Sequence, residues 1–345
     1  MISACMIVRD GAETIEAALK SVRDLVNEIV VGIDSRTKDN SREIIEKYTN
    51  NVFEFDWIDD FAYARNLVAS KSTNDFIFVI DVDDIVIEGC KGHIINEIKN
   101  DVKLMRVNLV TAPGNSITSP RIYDRRFLKF RYRIHEAIEK IDSDCEIWAA
   151  DIPISMVHKH PDKVIEPGRN IRILKNIIDE MPRYLFYMGR ECLDSNDYKN
   201  GIIYFNRYLP LSTFEPEKLD AMVNLATCYG FEGDFTKARE YCFRVLSCNT
   251  NFVPAYNLLG QLDMSQDKYD SAITWFESAT KCKDTSYMFN DVLSALFNCW
   301  GNLIVAYAKT GQIEKSRNAI ENAKSINCDS EWLDRNIESV RDLLK

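Results

Sequence analysis

Asp81, Asp83 and Asp84 place three carboxylates within four residues. They follow the strand-like segment Asp75–Ile80, whose run Phe76-Ile77-Phe78-Val79-Ile80 is unbroken apolar and mostly β-branched or aromatic. Such a run reads as a strand buried on both faces. In extended chain Asp81 and Asp83 point the same way. Paired hard oxygen ligands of this kind suit Mg²⁺ or Mn²⁺, above all where a diphosphate completes the shell. The alternative is an acidic turn that closes a core strand. Two further apolar runs also end in polar groups, Ile2–Val8 in Arg9 and Asp10, and Glu28–Ile33 in Asp34.

The elements that must position these groups alternate. Strands are expected at 2–8, 28–33, 52–55, 75–80 and 104–110. Between them lie an amphipathic helix with Ile15, Ala18, Leu19 and Val22 on its apolar face, a helix capped near Asp39-Asn40-Ser41 and running through Tyr48, and helices at 60–70 and 89–100. Residues 111–120 read as a polar loop. This alternation predicts an α/β, doubly wound and mostly parallel sheet, in which ligands bind beyond the carboxyl ends of the strands. No G-x-G-x-x-G and no Walker loop follows the first strand. A nucleotide diphosphate would then be held through a divalent ion.

Four segments, in order, carry a resemblance: Met6-Ile7-Val8-Arg9-Asp10-Gly11-Ala12-Glu13; Ile29-Val30-Val31-Gly32-Ile33-Asp34-Ser35-Arg36-Thr37-Lys38-Asp39; Phe61-Ala62-Tyr63-Ala64-Arg65-Asn66; and Asp81-Val82-Asp83-Asp84. Together they resemble the nucleotide-sugar half of a family 2 glycosyltransferase with a GT-A fold and a D-x-D motif, of the hexosyltransferase class. The resemblance implies that Val8, Arg9, Asp10 and Arg65 help hold the donor nucleotide, that Asp34 reads the base, that Asp81 lies near the ribose, and that Asp83 binds Mn²⁺ or Mg²⁺. Structural alternatives stand beside these roles: Asp34 as a strand-end cap and Arg65 as a surface helix cation. The chain departs from the family pattern at Gly32 and Arg36-Thr37-Lys38, which puts the loop shape and the base specificity in question.

A basic segment follows, with Arg121, Arg125, Arg126, Lys129, Arg131 and Arg133 interleaved with Tyr123, Phe127, Phe130 and Tyr132. Short strands with cationic outer faces are expected. The segment is a solvated face, a clamp for donor phosphates or a patch for an anionic acceptor, with Arg121 and Arg133 the candidate contacts. Arg133-Ile134-His135-Glu136 resembles the R-x-H-E segment of members that transfer glucose-like sugars. Inverting transfer needs one base for the acceptor proton. Glu136 is assigned that role, with His135 orienting it or binding phosphate; a structural His-Glu pair at a strand end is the alternative. His158 sits where the family has the histidine of H-x-G-Y and is implied as a metal or diphosphate ligand, although the chain reads His158-Lys159-His160-Pro161 and leaves His160 as a competitor.

From about residue 166 the pattern turns helical, with an amphipathic helix over 169–181. Small residues then recur at Gly189, Ala226 and Gly260, each followed twelve positions on by Gly201, Ala238 and Ala272. Aromatic Tyr198, Phe235 and Tyr269 follow the intervening turns, and a looser copy has Gly311 and Ser316. Small residues on both helices of a pair let the two approach closely. The pattern resembles tetratricopeptide repeats. The expected organisation is a GT-A domain at 1–165, a helical linker at 166–182 and TPR-like repeats at 183–345. The union of such a glycosyltransferase with such repeats resembles bacterial enzymes that modify peptides, including at cysteine, or other acceptors.

The chain has 345 residues, is 46% hydrophobic and 28% charged, and carries a net charge of −10. That balance describes an ordinary globular protein and argues against broad nucleic-acid or anionic-membrane binding. No run is long enough to span a bilayer. The N-terminus reads as a strand rather than a signal segment, and the ten cysteines show no C-x-x-C, so reduced thiols in a cytoplasmic protein are expected. The leading expectation is a metal-dependent inverting glycosyltransferase taking a nucleotide-diphospho-sugar, a UDP-sugar, to a peptide or protein acceptor. The repeats would present the acceptor or build a homodimer. A glycan, a lipid-linked sugar or a nucleic-acid base is the alternative acceptor. A non-catalytic repeat scaffold with a relic sugar-nucleotide domain is the alternative class.

Overall fold

A computed structural model describes residues 1–112, 115–159, 166, 168–282, 292–327 and 330–344. Contacts cluster into two units, Met1–Pro167 and Gly168–Lys345.

The first unit is built on an eight-stranded sheet. Its strands are β1 (Ile2–Val8), β2 (Glu28–Asp34), β3 (Val52–Phe55), β4 (Phe76–Val79), β5 (Asp84–Glu88), β6 (Leu104–Ala112), β7 (Asn115–Asp124) and β10 (Ala149–His158), in spatial order β3-β2-β1-β4-β7-β6-β10-β5. A separate hairpin pairs β8 (Leu128–Arg131) with β9 (Ala137–Lys140). The pairs β2–β3, β1–β2, β1–β4 and β6–β10 are parallel; β4–β7, β6–β7 and β5–β10 are antiparallel. It follows that β1, β2, β4 and β10 all end at one edge of the sheet. The reversed strand β5 begins there, so Asp84 and His158 are paired across the ladder.

The period of two along each strand sorts side chains between two cores. Ile2, Ala4, Met6 and Val8 of β1, with Phe76 and Phe78 of β4 and the following Ile80, pack on one face with the buried side of α1 (Ile15–Val22) and Ile94 of α4 (Lys91–Lys99). Cys5, Ile77 and Val79 face the other way, onto Ala62, Val68 and Ala69 of α3 (Phe61–Ser70) and Leu128 and Phe130 of the hairpin. Each fully buried aliphatic or aromatic side chain contributes roughly 1.5–3 kcal/mol by leaving water. A Cβ at Gly32 would lie 2.6 Å from Val68 Cγ2, so the missing side chain is what lets α3 press onto β2. The helix is started by Asp60, whose carboxylate accepts the Tyr63 N–H.

Two expectations are corrected here. Residues 115–120, read as loop, belong to β7 because β6 supplies the hydrogen-bond ladder, and tertiary pairing overrides their polar composition. Asp84–Glu88, for which no element was expected, form the edge strand β5. The helix expected through Tyr48 is the short α2 (Ser41–Ile45), continued by turns.

The second unit is helical. After α5 (Arg169–Ile177) come the antiparallel pairs α6 (Pro182–Asp194) with α7 (Tyr198–Tyr208), α8 (Glu215–Phe231) with α9 (Phe235–Cys248), α10 (Val253–Met264) with α11 (Tyr269–Ala279), and α12 (Val292–Lys309) with α13 (Ile313–Ile326), then α14 (Glu331–Ser339). Asp197 and Asp234 cap the second helices of the first two pairs by accepting the N–H groups of Asn200 and Lys237. Close approach explains the recurring small residues: a Cβ at Gly260 would lie 2.4 Å from the Phe276 ring, and one at Gly189 2.7 Å from Phe205. Adjacent pairs are pinned by buried acids. Asp263 accepts from Arg239 NH2 at 2.6 Å, Ser271 Oγ at 2.6 Å and Trp275 Nε1 at 2.8 Å. No helix among the described residues is long and apolar enough to cross a membrane.

Candidate active site

The turn after β4 is closed on itself. Asp81 N–H donates to Asp84 Oδ2 at 2.9 Å, and Asp84 N–H donates to the Asp81 carbonyl at 3.1 Å. Lys159 N–H, just past β10, donates to the Asp83 carbonyl at 2.8 Å and fixes the turn from the other side. Asp84 is fully buried, at 0% exposure, and works as an anchor. Its Oδ1 meets His158 Nδ1 at 2.8 Å and its Oδ2 meets Arg121 NH1 at 3.2 Å.

Arg65 reaches this turn from α3. Its NH2 donates to Asp81 Oδ1 at 2.8 Å and its Nε to Glu136 Oε1 at 2.7 Å. Arg121 donates from NH1 to the other oxygen of Asp81 at 3.0 Å. The guanidinium of Arg65 lies over the Phe130 ring, 5.4 Å from its centroid. Phe130 is itself clipped to α3, because Asn66 both accepts the Phe130 N–H at 3.0 Å and donates to its carbonyl at 2.9 Å. Asn66 thus links the helix to the hairpin and sets where Arg65 can reach. Burial acts against ionising both Arg65 and Asp81. The opposite charges outweigh it, so the Asp81 carboxyl is held far below the usual range and Arg65 stays protonated. Arg65 NH1 and Arg121 Nε are buried N–H groups that no protein atom accepts.

Asp83 and His158 face each other, with Asp83 Oδ2 3.4 Å from His158 Nε2. Burial, and then the charges of Asp81 and Asp84, push the Asp83 carboxyl up, against the pull of His158. The hydrogen bond to Asp84, with the nearby carboxylates, raises the His158 pKa. Among the described residues no group of three His, Cys, Asp or Glu side chains is set to hold a metal alone. The pair nevertheless fits a divalent ion whose shell a ligand completes. An Nδ1–H donated to the Asp84 carboxylate leaves Nε2 as the lone-pair nitrogen, aimed at Asp83, which is how outer carboxylates orient metal-binding histidines.

The other expected residues fall around this centre. Val8 ends β1. Asp10 accepts the Lys38 N–H at 2.7 Å and so ties the first turn to the loop after β2. Arg9 lies 3.8 Å from Asp10 and 4.0 Å from Glu166. Asp34 is buried and held by Arg36, with NH2 to Oδ2 at 2.6 Å. Against the cost of burial, those bonds and that charge keep its carboxyl below the usual range. Arg133 supplies a carbonyl to the Phe61 N–H at 2.8 Å, and His135 has a positive φ of 53°. The basic segment is largely neutralised rather than a bare cationic face: Arg126 meets Asp124 and Asp75, Arg131 meets Glu139, and Arg125 donates to the Ala69 carbonyl. His160 lies outside the described residues.

Residues 3–149 match the family model described as Glycosyl transferase family 2. They form a family 2 glycosyltransferase domain. Residues 253–283, which take in α10 and α11, match the tetratricopeptide repeat model. The chain is 24% identical over 246 residues to the SPbeta prophage-derived glycosyltransferase SunS of Bacillus subtilis, covering 66% of this chain and 58% of that one. It is 40% identical over 86 residues to a TPR repeat-containing protein of Synechococcus elongatus, covering 25% of this chain and 21% of that one. It therefore spans less than two thirds of the length of either relative. Among solved structures it is similar to TTC0263, a thermophilic TPR protein of Thermus thermophilus, with 14% identity and a TM-score of 0.41, covering 50% of this chain and 88% of that one. The match covers residues 3–149 of the sheet unit Met1–Pro167, so Arg65, Asp81, Arg121 and Glu136 lie within it and His158 lies beyond its end. Arg36, Trp57, Asn66 and Asp84 are the members that motif reading did not assign. Of these Arg36 carried a signal as a departure from the small residue common at its position, and Asn66 and Asp84 lay inside quoted motifs without a role; Trp57 carried none.

Proposed function

We propose that the sheet unit is a metal-dependent, inverting glycosyltransferase that moves a sugar from a nucleotide-diphospho-sugar, a UDP-sugar, to an acceptor. The observation that carries this reading is Arg65, which joins Asp81 of the D-x-D turn to Glu136 through a single guanidinium. Donor-side and acceptor-side acids are thereby fixed relative to one another. The family 2 domain and the likeness to SunS support the same class of activity.

In this mechanism the buried, unaccepted N–H groups of Arg65 and Arg121 receive donor oxygens, since leaving them dry costs about 1–3 kcal/mol each. Asp83 and His158 would hold Mn²⁺ or Mg²⁺, which when bound offsets charge on the departing diphosphate. Glu136, steadied through Oε1 by Arg65, takes the acceptor proton at its other oxygen. The acceptor atom bonds to the anomeric carbon from the side opposite the leaving group, the bond from that carbon to the diphosphate breaks, and the nucleoside diphosphate leaves with the electron pair. A peptide or protein is the favoured acceptor, because helical repeats present extended surfaces that commonly hold peptides.

The test is divalent-dependent hydrolysis across UDP-, GDP- and TDP-sugars, followed by mass spectrometry of candidate acceptors. Release of a nucleoside diphosphate is expected. No release from any donor would contradict the reading.

A further inference from the structure

The Asp34 carboxylate, implied by the family pattern as the reader of the base, is already engaged by its own chain. Its Oδ1 accepts both the Arg36 backbone N–H and Arg36 Nε, each at 3.0 Å, and its Oδ2 accepts Arg36 NH2 at 2.6 Å and shares the Nε–H at 3.2 Å. An oxygen with two lone pairs has no room for a third donor, so Oδ1 is full. A uracil imide N–H would have to share Oδ2 with the guanidinium.

Arg36, by contrast, is open. Its side chain is 41% exposed. The edge facing Asp34 uses Nε and NH2, which leaves the opposite edge, NH1 with the second N–H of NH2, directed away from Asp34. The guanidinium lies over the Trp57 ring, 5.6 Å from its centroid. Trp57 is held by its indole N–H donating to Asp59 Oδ1 at 2.8 Å and by an edge contact with Phe61 at 4.6 Å. A planar donor edge is thus fixed in place by a buried carboxylate and an anchored indole.

We propose that Arg36, oriented by Asp34 and Trp57, reads the nucleobase of the donor through the base's acceptor atoms. This inference rests on the glycosyltransferase reading of the sheet unit. It changes what the pocket selects. Guanine offers O6 and N7 side by side, the pattern a guanidinium edge grips with two bonds, whereas uracil offers O4 and a donor that Asp34 is no longer free to take. Guanine nucleotides should therefore compete with uracil nucleotides for this site.

The experiment is calorimetric titration of the full chain with UDP and with GDP, in Mn²⁺. The unaltered protein should bind the two within about tenfold of one another. In Arg36→Ala the guanine reader is gone and Asp34 is released to the uracil imide, so the UDP:GDP affinity ratio should swing toward UDP by about tenfold or more. Arg36→Lys keeps a cation beside Asp34 but has no fork for guanine, and should swing the ratio in the same direction; it covers the case in which Arg36→Ala leaves Asp34 too poorly partnered to fold. The ratio is read on one preparation and does not depend on its active fraction. An unchanged ratio in the variants overturns the proposal, as does an unaltered protein that already prefers UDP by about a hundredfold. Failure of the unaltered protein to bind either nucleotide overturns the donor-site reading itself, and this inference with it.

Discussion

Arg65 Nε donates to Glu136 Oε1 at 2.7 Å, across 71 positions of sequence. The same guanidinium holds Asp81 at 2.8 Å, so one planar fork spans both acids. A lysine keeps the charge but cannot make both bonds in fixed directions. Arg65→Lys is expected to lower kcat by about a hundredfold, because it loosens Glu136 without removing it. Steady-state kinetics beside a thermal melt would check this; turnover close to the unaltered protein's would show that the fork is not needed.

Asp83 and His158 are expected to couple donor binding to a divalent ion. Saturating UDP with Mn²⁺ should raise the melting temperature, an effect of about 2.7 kcal/mol when ligand is a hundred times its Kd. Asp83→Ala should abolish the metal-dependent part. Asp84→Asn should weaken metal affinity by about 10–100-fold, through the lost orientation of His158. A metal-linked gain that survives in Asp83→Ala would place the ion elsewhere.

Asp263 gives the repeat unit an acid-sensitive joint. Burial opposes its ionisation, but the Ser271, Arg239 and Trp275 donors prevail and hold its carboxyl below the ordinary value of 3.8. A depressed folded pKa contributes stability that is present above 3.8 and lost as pH falls from there through the folded value. Asp263→Asn is therefore expected to cost about 1–3 kcal/mol near neutral pH and to flatten the loss of stability on acidification. Chemical denaturation followed at several pH values would measure both; equal acid sensitivity in the two proteins would contradict this.

The parallel half of the sheet was readable because Ile2–Val8 and Phe76–Ile80 are apolar on both faces, and an open α/β sheet buries both. The repeat helices were readable because Gly189 and Gly260 stand where a partner's phenylalanine ring leaves no room for a Cβ. The β7 strand was not, since Asn115–Ser119 is polar and its ladder comes from β6. Nor was Asp84 readable as the first residue of an edge strand, because the pairing that makes it one comes from His158, 74 residues away. The D-x-D acids could be found by type and spacing. Arg121 was expected as a phosphate or acceptor contact, but its bonds to Asp81 and Asp84, like the Asn66 clip onto Phe130, were not readable, because a side chain's reach across a sheet or onto a hairpin leaves no periodic trace. Arg36 was visible only as a residue too large for its motif, and its grip on Asp34 is a local geometry that spacing does not encode.

Glu136→Ala offers the most direct test of the site. It removes the base and leaves Asp83, His158 and Arg121 in place. Two quantities measured on one preparation decide it: UDP affinity in Mn²⁺, and sugar transfer or donor hydrolysis. Retained UDP binding with transfer lost by about a hundredfold or more is expected. Normal turnover in Glu136→Ala would contradict the account and put the base on another residue.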